Sequence, residues 1–152
     1  MFGGPNDTFS FLHMAHRMFL GGETLRAATD WAAHTTHSFY VARALLALLE
    51  RKTYGIYHTV SPGVPTYLEI AQYLAGQMGV PPKLIQPSTR QEIGLAAGRP
   101  KRLELSIKMW IEDFGAPLPD WKKGIADFVA ERKPSARSAG PKNIRAQRPI
   151  KH

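Results

Sequence analysis

A chain of 152 residues with a 43% apolar share has material for one domain with a core of its own, and the absence of cysteine excludes disulfides, thiolate metal sites and a cysteine nucleophile. No run of about 18 apolar residues is present to cross a membrane, and the opening MFGGPNDTF lacks the basic-then-apolar pattern of a secretory leader, so a cytoplasmic protein is the default expectation. Six of the net eight positive charges fall in residues 133–152, which hold no acid, leaving 14 basic and 12 acidic residues in a nearly neutral body.

In chain order, Asn6 or Asp7 is placed to cap a helix whose apolar positions Phe11, Ala15, Met18 and Phe19 recur at helical spacing, with Gly21-Gly22 as its stop. The stretch ETLRAAT reads as a short strand. Residues 36–51 give the strongest helical pattern, with Val41, Ala44, Leu45, Leu48 and Leu49 on one wide apolar face. YGIYHTV, rich in aromatic and β-branched residues and bounded by Gly55 and Pro62-Gly63, predicts a strand. Thr66 and Glu69 have the spacing of a capping box, which starts a helix that Gly79 ends. PPKLIQP predicts another short strand, STRQEIGLAA a short helix capped by Ser88 or Thr89, and RPKRLELS an extended loop. Ser106 is placed to cap IKMWIEDF, ended by Gly115, and Asp120 to cap a last helix from Trp121 to about Arg132. Strands alternating with helices predict an α/β, helix-rich fold with short parallel strands. The basic tail has three prolines and no apolar periodicity. It cannot bury enough surface to offset its ordering entropy, so it is expected to be disordered. Nucleic-acid binding by that tail is a minor alternative, because no aromatic residues are interleaved with its charges.

The segments FGGPNDTF, LRAATDW, GIYHTVSPGVPTYLEIA, KLIQPSTRQE, AAGRPKRLEL and GAPLPDWKKGI, in this order, resemble the C-terminal part of the dTDP-4-dehydrorhamnose reductase family of extended short-chain dehydrogenases. The resemblance runs from Phe2 to about Val129. It implies a partial Rossmann-type fold, with residues 1–132 as a substrate-binding region and residues 133–152 as an appended tail. It also implies a dTDP-sugar ligand, and NADPH as the cofactor of the complete family enzyme, which reduces dTDP-4-dehydro-L-rhamnose to dTDP-L-rhamnose. No cofactor is expected for this chain alone. The Gly-rich turn that receives a dinucleotide pyrophosphate is not in the sequence, and Tyr40, Tyr54, Tyr57, Tyr67 and Tyr73 are followed four residues later by Ala44, His58, Ser61, Ala71 and Gln77 rather than by the lysine of the family's proton-donor pair. No catalytic residue is assigned. The family strand matching Gly-Ile-Tyr-His joins the large cofactor-domain sheet, so residues 55–60 are expected to lack their partners, and a homodimer or a separate Rossmann-half partner is expected to cover them.

Among single residues, Arg99 is the first choice for a substrate phosphate, since a guanidinium holds phosphate bidentately; Lys101 stands beside it. By the resemblance, Thr8 and Thr36 lie in loops near the sugar-nucleotide cleft, Thr8 where the family has Asn and Thr36 at the end of an Ala33-His34-Thr35-Thr36 loop where it has Gly-Ser-Pro-Thr. Tyr40 stands where the family has an acidic residue. The pairs His13-x-x-His16 and His34-x-x-His37 have a spacing that zinc could use, but no third ligand or catalytic carboxylate accompanies them, so no metal site is assigned. Trp110, Phe114 and Trp121 are expected in the core or at a domain interface. A non-catalytic interaction module derived from the same fold is the alternative to a sugar-nucleotide binder.

Overall fold

A computed structural model of the chain describes residues 1–4, 7–94 and 100–132. Asn6, Arg99 and the basic tail therefore lie outside the described residues. The first helix, α1 (Phe11–Leu20), is capped by Ser10, whose hydroxyl accepts from the His13 N–H at 3.2 Å. Asp7, expected as a cap, instead accepts from the backbone N–H groups of Gly3 and Ser10, both at 3.0 Å. Its carboxylate therefore fastens the loop ahead of the helix. Strand β1 (Leu25–Ala28) pairs in parallel with β3 (Ile85–Ser88), Leu25 opposite Ile85 and Ala28 opposite Ser88. A second parallel pair joins β2 (Ala32–Ala33) to β4 (Arg102–Leu103), a two-residue strand inside the stretch expected to be loop throughout. The α/β class with short parallel strands is as the sequence predicts.

Helix α3 (Tyr67–Met78) starts at a complete Thr66–Glu69 capping box and stops at Gly79, whose φ of 68° is the left-handed conformation that glycine adopts without strain. It is the hub. Ile70, Ala71, Leu74 and Ala75 are buried against Leu12, Ala15 and Phe19 of α1, Leu25 and Ala27 of β1, and Ile125, Phe128 and Val129 of α6 (Trp121–Arg132). Asp120 caps α6 as predicted, accepting from Lys123 N at 2.8 Å. The short helix α4 (Arg90–Ile93) takes Thr89, with Glu92, as its capping box, and α5 (Lys108–Phe114) ends at Gly115. Among the described residues no helix is long and apolar enough to cross a membrane.

Helix α2 (Ser38–Arg51) forms where predicted, yet most of its apolar face is left uncovered among the described residues. Ala44 is buried, whereas Leu45, Leu46 and Leu49 are 53%, 59% and 74% exposed. The segment after it departs from prediction in the same direction. Residues 54–60 form no strand, and Tyr54 and Ile56 are 90% and 82% exposed. A strand is defined by its partner. Among the described residues the strand pairings are those of β1 with β3 and β2 with β4. The backbone of 54–60 is held instead by side chains: Tyr57 donates its hydroxyl to Asp113, and His58 Nδ1 lies 3.0 Å from the Ser106 carbonyl.

What ties α2 to the core side is Tyr40, buried on the opposite face, whose hydroxyl donates to Asp127 of α6. Asp127 is also ion-paired with Lys123. Burial and the Asp127 hydrogen bond push the Tyr40 hydroxyl pKa up, while the Lys123 and Tyr40 hydrogen bonds hold the Asp127 carboxyl below the usual carboxylate range. Asp127 with a depressed pKa contributes stability above its unfolded value of about 4, lost as pH falls through the lower folded value; Tyr40 with a raised pKa contributes below about 10, lost as pH rises through the higher folded value. Tyr40→Phe is expected to lower unfolding free energy by about 1–2 kcal/mol. Denaturant melts should show that deficit flat from about pH 4 to pH 10 and shrinking outside the window.

Candidate functional site

Parallel strands deliver ligand-binding side chains at their carboxyl ends, and both β1 and β3 end beside one cleft. After Ala28 the chain stays bonded to β3 for one more residue, Thr29 N donating to the Ser88 carbonyl at 2.9 Å. Asp30 then accepts from the Arg90 backbone N–H at 2.8 Å and from Arg90 Nε at 3.4 Å. The Arg90 N–H is the largest cause holding the Asp30 carboxyl below the usual range. The exit of β1 is thereby pinned to the start of α4. Trp31 follows. Its carbonyl accepts from Tyr67 N at 3.0 Å and its indole stacks on the Tyr67 ring, centroids 4.0 Å apart and planes 17° from parallel. Phe11 meets the same tyrosine edge-on at 4.7 Å.

Phe9, Phe11 and Met14 on the α1 side, Arg26 and Ala28 of β1, Trp31, Tyr67 and Ile93 line a cleft of about 350 Å³. Phe9 is 98% exposed. Flat aromatic walls offer stacking to a planar ring, and Arg26, the one cation lining the cleft among the described residues, offers a fork of donors to an anion. Of two other clefts among the described residues, the first also combines aromatic walls with an arginine. This one, of about 310 Å³, lies between α2, α5 and residues 116–119 and is lined by Arg43, Trp110, Phe114 and Leu118 among others. The other, of about 210 Å³, is bounded by Phe2, Thr35 and Ile70 and has no charged side chain among the described residues.

The residues singled out in the sequence are scattered relative to this cleft. Thr8 is exposed, one residue before Phe9. Lys101 is exposed, and its carbonyl accepts from Ala32 N at 2.9 Å, which sets it just before β4 and opposite the start of β2. Thr36 is buried, and its hydroxyl accepts from Ser61 N at 2.9 Å, so its polar atom serves the fold's own hydrogen bonding. Arg99 lies outside the described residues. Trp110 is buried, stacks on Phe114 at 4.2 Å and donates its indole N–H to the Ala116 carbonyl. Trp121 is part-buried against the core and meets Tyr73 edge-on.

The histidines have structural work. His34 Nδ1 lies 3.0 Å from the Ser61 carbonyl, and His34 Nε2 accepts from Leu105 N at 2.9 Å, so one neutral tautomer satisfies both and joins three loops. His37 caps α2, Nδ1 accepting from Phe39 N at 3.3 Å. His16 faces Phe128, its pKa lowered by burial and by the nearby charges of Arg132 and His13. No group of three or more His, Asp or Glu among the described residues is gathered to hold a metal ion.

Sequence reasoning missed Arg26, Trp31 and Tyr67 as cleft residues. Trp31 and Tyr67 are 36 positions apart, and it is the Ala32–Thr66 bridge that sets them side by side. Tyr67 follows the Thr66 cap directly, so its position at the mouth of α3 was readable, but its partner was not.

Compared with known proteins, residues 2–133 match the family model described as the RmlD substrate binding domain. The chain is 25% identical over 130 residues to the spore coat polysaccharide biosynthesis protein SpsK of Bacillus subtilis (strain 168), an alignment covering 86% of this chain and 44% of that protein. Its fold is like that of dTDP-4-dehydrorhamnose reductases from Clostridium acetobutylicum (TM-score 0.76, 22% identity, 86% of this chain and 45% of that one) and from Bacillus anthracis, solved with NADP (TM-score 0.74, 22% identity, 86% and 44%). A dTDP-glucose 4,6-dehydratase from Bacillus anthracis is also similar, at a TM-score of 0.67 and 16% identity over 84% of this chain and 40% of that one. The chain thus spans less than half the length of the relatives it matches, and at these identities the structural likeness speaks for the fold.

His34→Ala leaves the Ser61 carbonyl and the Leu105 N–H without their partner, and a loss of about 1–3 kcal/mol in unfolding free energy is expected from urea denaturation.

Proposed function

This chain belongs to the RmlD substrate binding domain family, and on that premise we propose that the cleft at the carboxyl ends of β1 and β3 binds a nucleotide sugar, a dTDP-hexose being the first choice. The observation that carries this reading is the set of aromatic walls, Phe9, Phe11, Trp31 and Tyr67, closing on Arg26 in one cleft. Aromatic faces accommodate a planar base and the C–H face of a sugar ring, and a diphosphate calls for a guanidinium. The structural relatives include dTDP-4-dehydrorhamnose reductases, and their activity supplies the ligand class.

Hydride transfer is not assigned to the residues of this chain. None of its tyrosines has lysine four positions on, and β1 and β3 leave through Thr29-Asp30 and through Thr89 into α4 rather than through a glycine-rich turn. In this reading NADPH and the proton donor are held by a Rossmann half that packs on the exposed face of α2 and pairs with residues 54–60, and the two halves together reduce the 4-keto group. Such a nucleotide-sugar reaction would be cytoplasmic. The exposed leucines of α2 also favour a second reading, a non-catalytic module whose working surface is that face, acting as a homodimer or with another protein.

A thermal-shift titration separates the two. With dTDP-glucose or dTDP-rhamnose at about 100 times its dissociation constant, a single site adds about 2.7 kcal/mol to folding stability, so the melting temperature should climb with ligand concentration and Trp31→Ala should flatten the climb. A flat response of the native chain favours the module.

A further inference from the structure

A nucleotide sugar brings a diphosphate, and the cations around the cleft differ in what already occupies them. Arg90 is ion-paired with Asp30 at 3.4 Å, and Arg102 with Glu104 at 2.8 Å. Lys101 is exposed outside the lining. Arg26 lines the cleft, and among the described residues no carboxylate stands within ion-pairing distance of it. Glu92 feels its charge, but that carboxylate is engaged first by the Thr89 backbone and hydroxyl in the capping box of α4.

Arg26 is also held. Its Nε donates to the Ser88 hydroxyl at 3.2 Å. Ser88 is buried at 5% exposure and fixed opposite Ala28 by the parallel register, two positions along from Arg26. With Nε committed to Ser88, the two terminal nitrogens keep four N–H donors for another partner. A surface arginine with no ligand gains little from a buried hydroxyl spent on its orientation. A guanidinium that must present a planar fork to phosphate gains directness of aim, because less rotamer freedom is lost on binding.

We propose that Arg26 is the phosphate-binding residue of the cleft, taking the diphosphate of a nucleoside diphosphate, and that Ser88 is its positioning residue. This rests on the nucleotide-sugar reading above. It separates the roles of the cleft: the aromatic side chains hold the rings, and Arg26 holds the charge. Because Arg26 is exposed, its contribution falls with ionic strength.

The test compares thymidine with dTDP, two probes that share a base and differ in charge, by NMR titration reading the tryptophan indole N–H signals of the full 152-residue chain. The native chain is expected to bind dTDP about ten- to hundredfold more tightly than thymidine. Arg26→Ala and Arg26→Gln should erase that advantage while leaving thymidine affinity in place, and Arg26→Lys should restore it only in part, since a point charge lacks the fork. Ser88→Ala should reduce the dTDP advantage in the same direction, and adding it to Arg26→Ala should change nothing further, the signature of a residue acting through its partner. Circular dichroism confirms that each variant is folded. If a folded Arg26→Ala chain keeps the full dTDP advantage, or if the native chain binds both probes equally, the assignment of Arg26 is overturned while the cleft remains a nucleoside site. If the native chain binds neither probe, the nucleotide-sugar reading falls, and this proposal with it.

Discussion

The start of α3 is where the core and the cleft are joined. Its capping box sets Thr66 in an extended conformation while Glu69 reaches back, and the residue so placed forms a bridge to Ala32. One position on, Tyr67 donates its N–H to the Trp31 carbonyl and presents its ring to the indole. The same helix then buries Ile70, Ala71 and Leu74 in the core within its next two turns. A shift of α3 by one residue would turn those apolar side chains off the core and pull the tyrosine from the tryptophan. Core packing therefore fixes the cleft, and the cap fixes the register of both.

The core so organised stops at α2. Tyr40 and Ala44 face inward, with the Tyr40 hydroxyl held by Asp127, whereas Phe39, Leu45, Leu46 and Leu49 face out. With Tyr54 and Ile56 of the following segment, they make six exposed large apolar side chains between residues 39 and 56. Each buried leucine would be worth about 1.5–3 kcal/mol on burial, so the face is a store of association energy not used within the described fold. In the proposed reading, the cleft takes the ligand and this face takes the protein partner.

Local signals were the legible ones. The Thr66–Glu69 box, the Asp120 cap, the Thr89 cap and the stops at Gly21, Gly79 and Gly115 all stand where the sequence placed them, because caps depend on side chains within three or four residues of the backbone groups they satisfy. The first cap went to Ser10 rather than Asp7 since both offer a short oxygen and only the loop decides between them. Non-local facts were illegible. YGIYHTV has every local mark of a strand, but strand formation needs a neighbouring edge, and none is presented to it among the described residues. Thr36 looks like a ligand-facing loop residue until Ser61, 25 positions away, takes its hydroxyl. The Trp31–Tyr67 stack and the Arg26–Ser88 bond likewise join positions that no periodicity connects.

The central claim is a lobe with its own core around α3 and an uncovered face formed by α2 and residues 54–60. Native-state hydrogen exchange of the full chain tests it most directly. The amides of α3, α6 and the β1–β3 pair should be the most protected, exchanging only through global unfolding, and the amides of residues 54–60 should exchange close to the unprotected rate. Protection of 54–60 equal to that of β1 would contradict the claim, since it would mean the segment already has a partner strand.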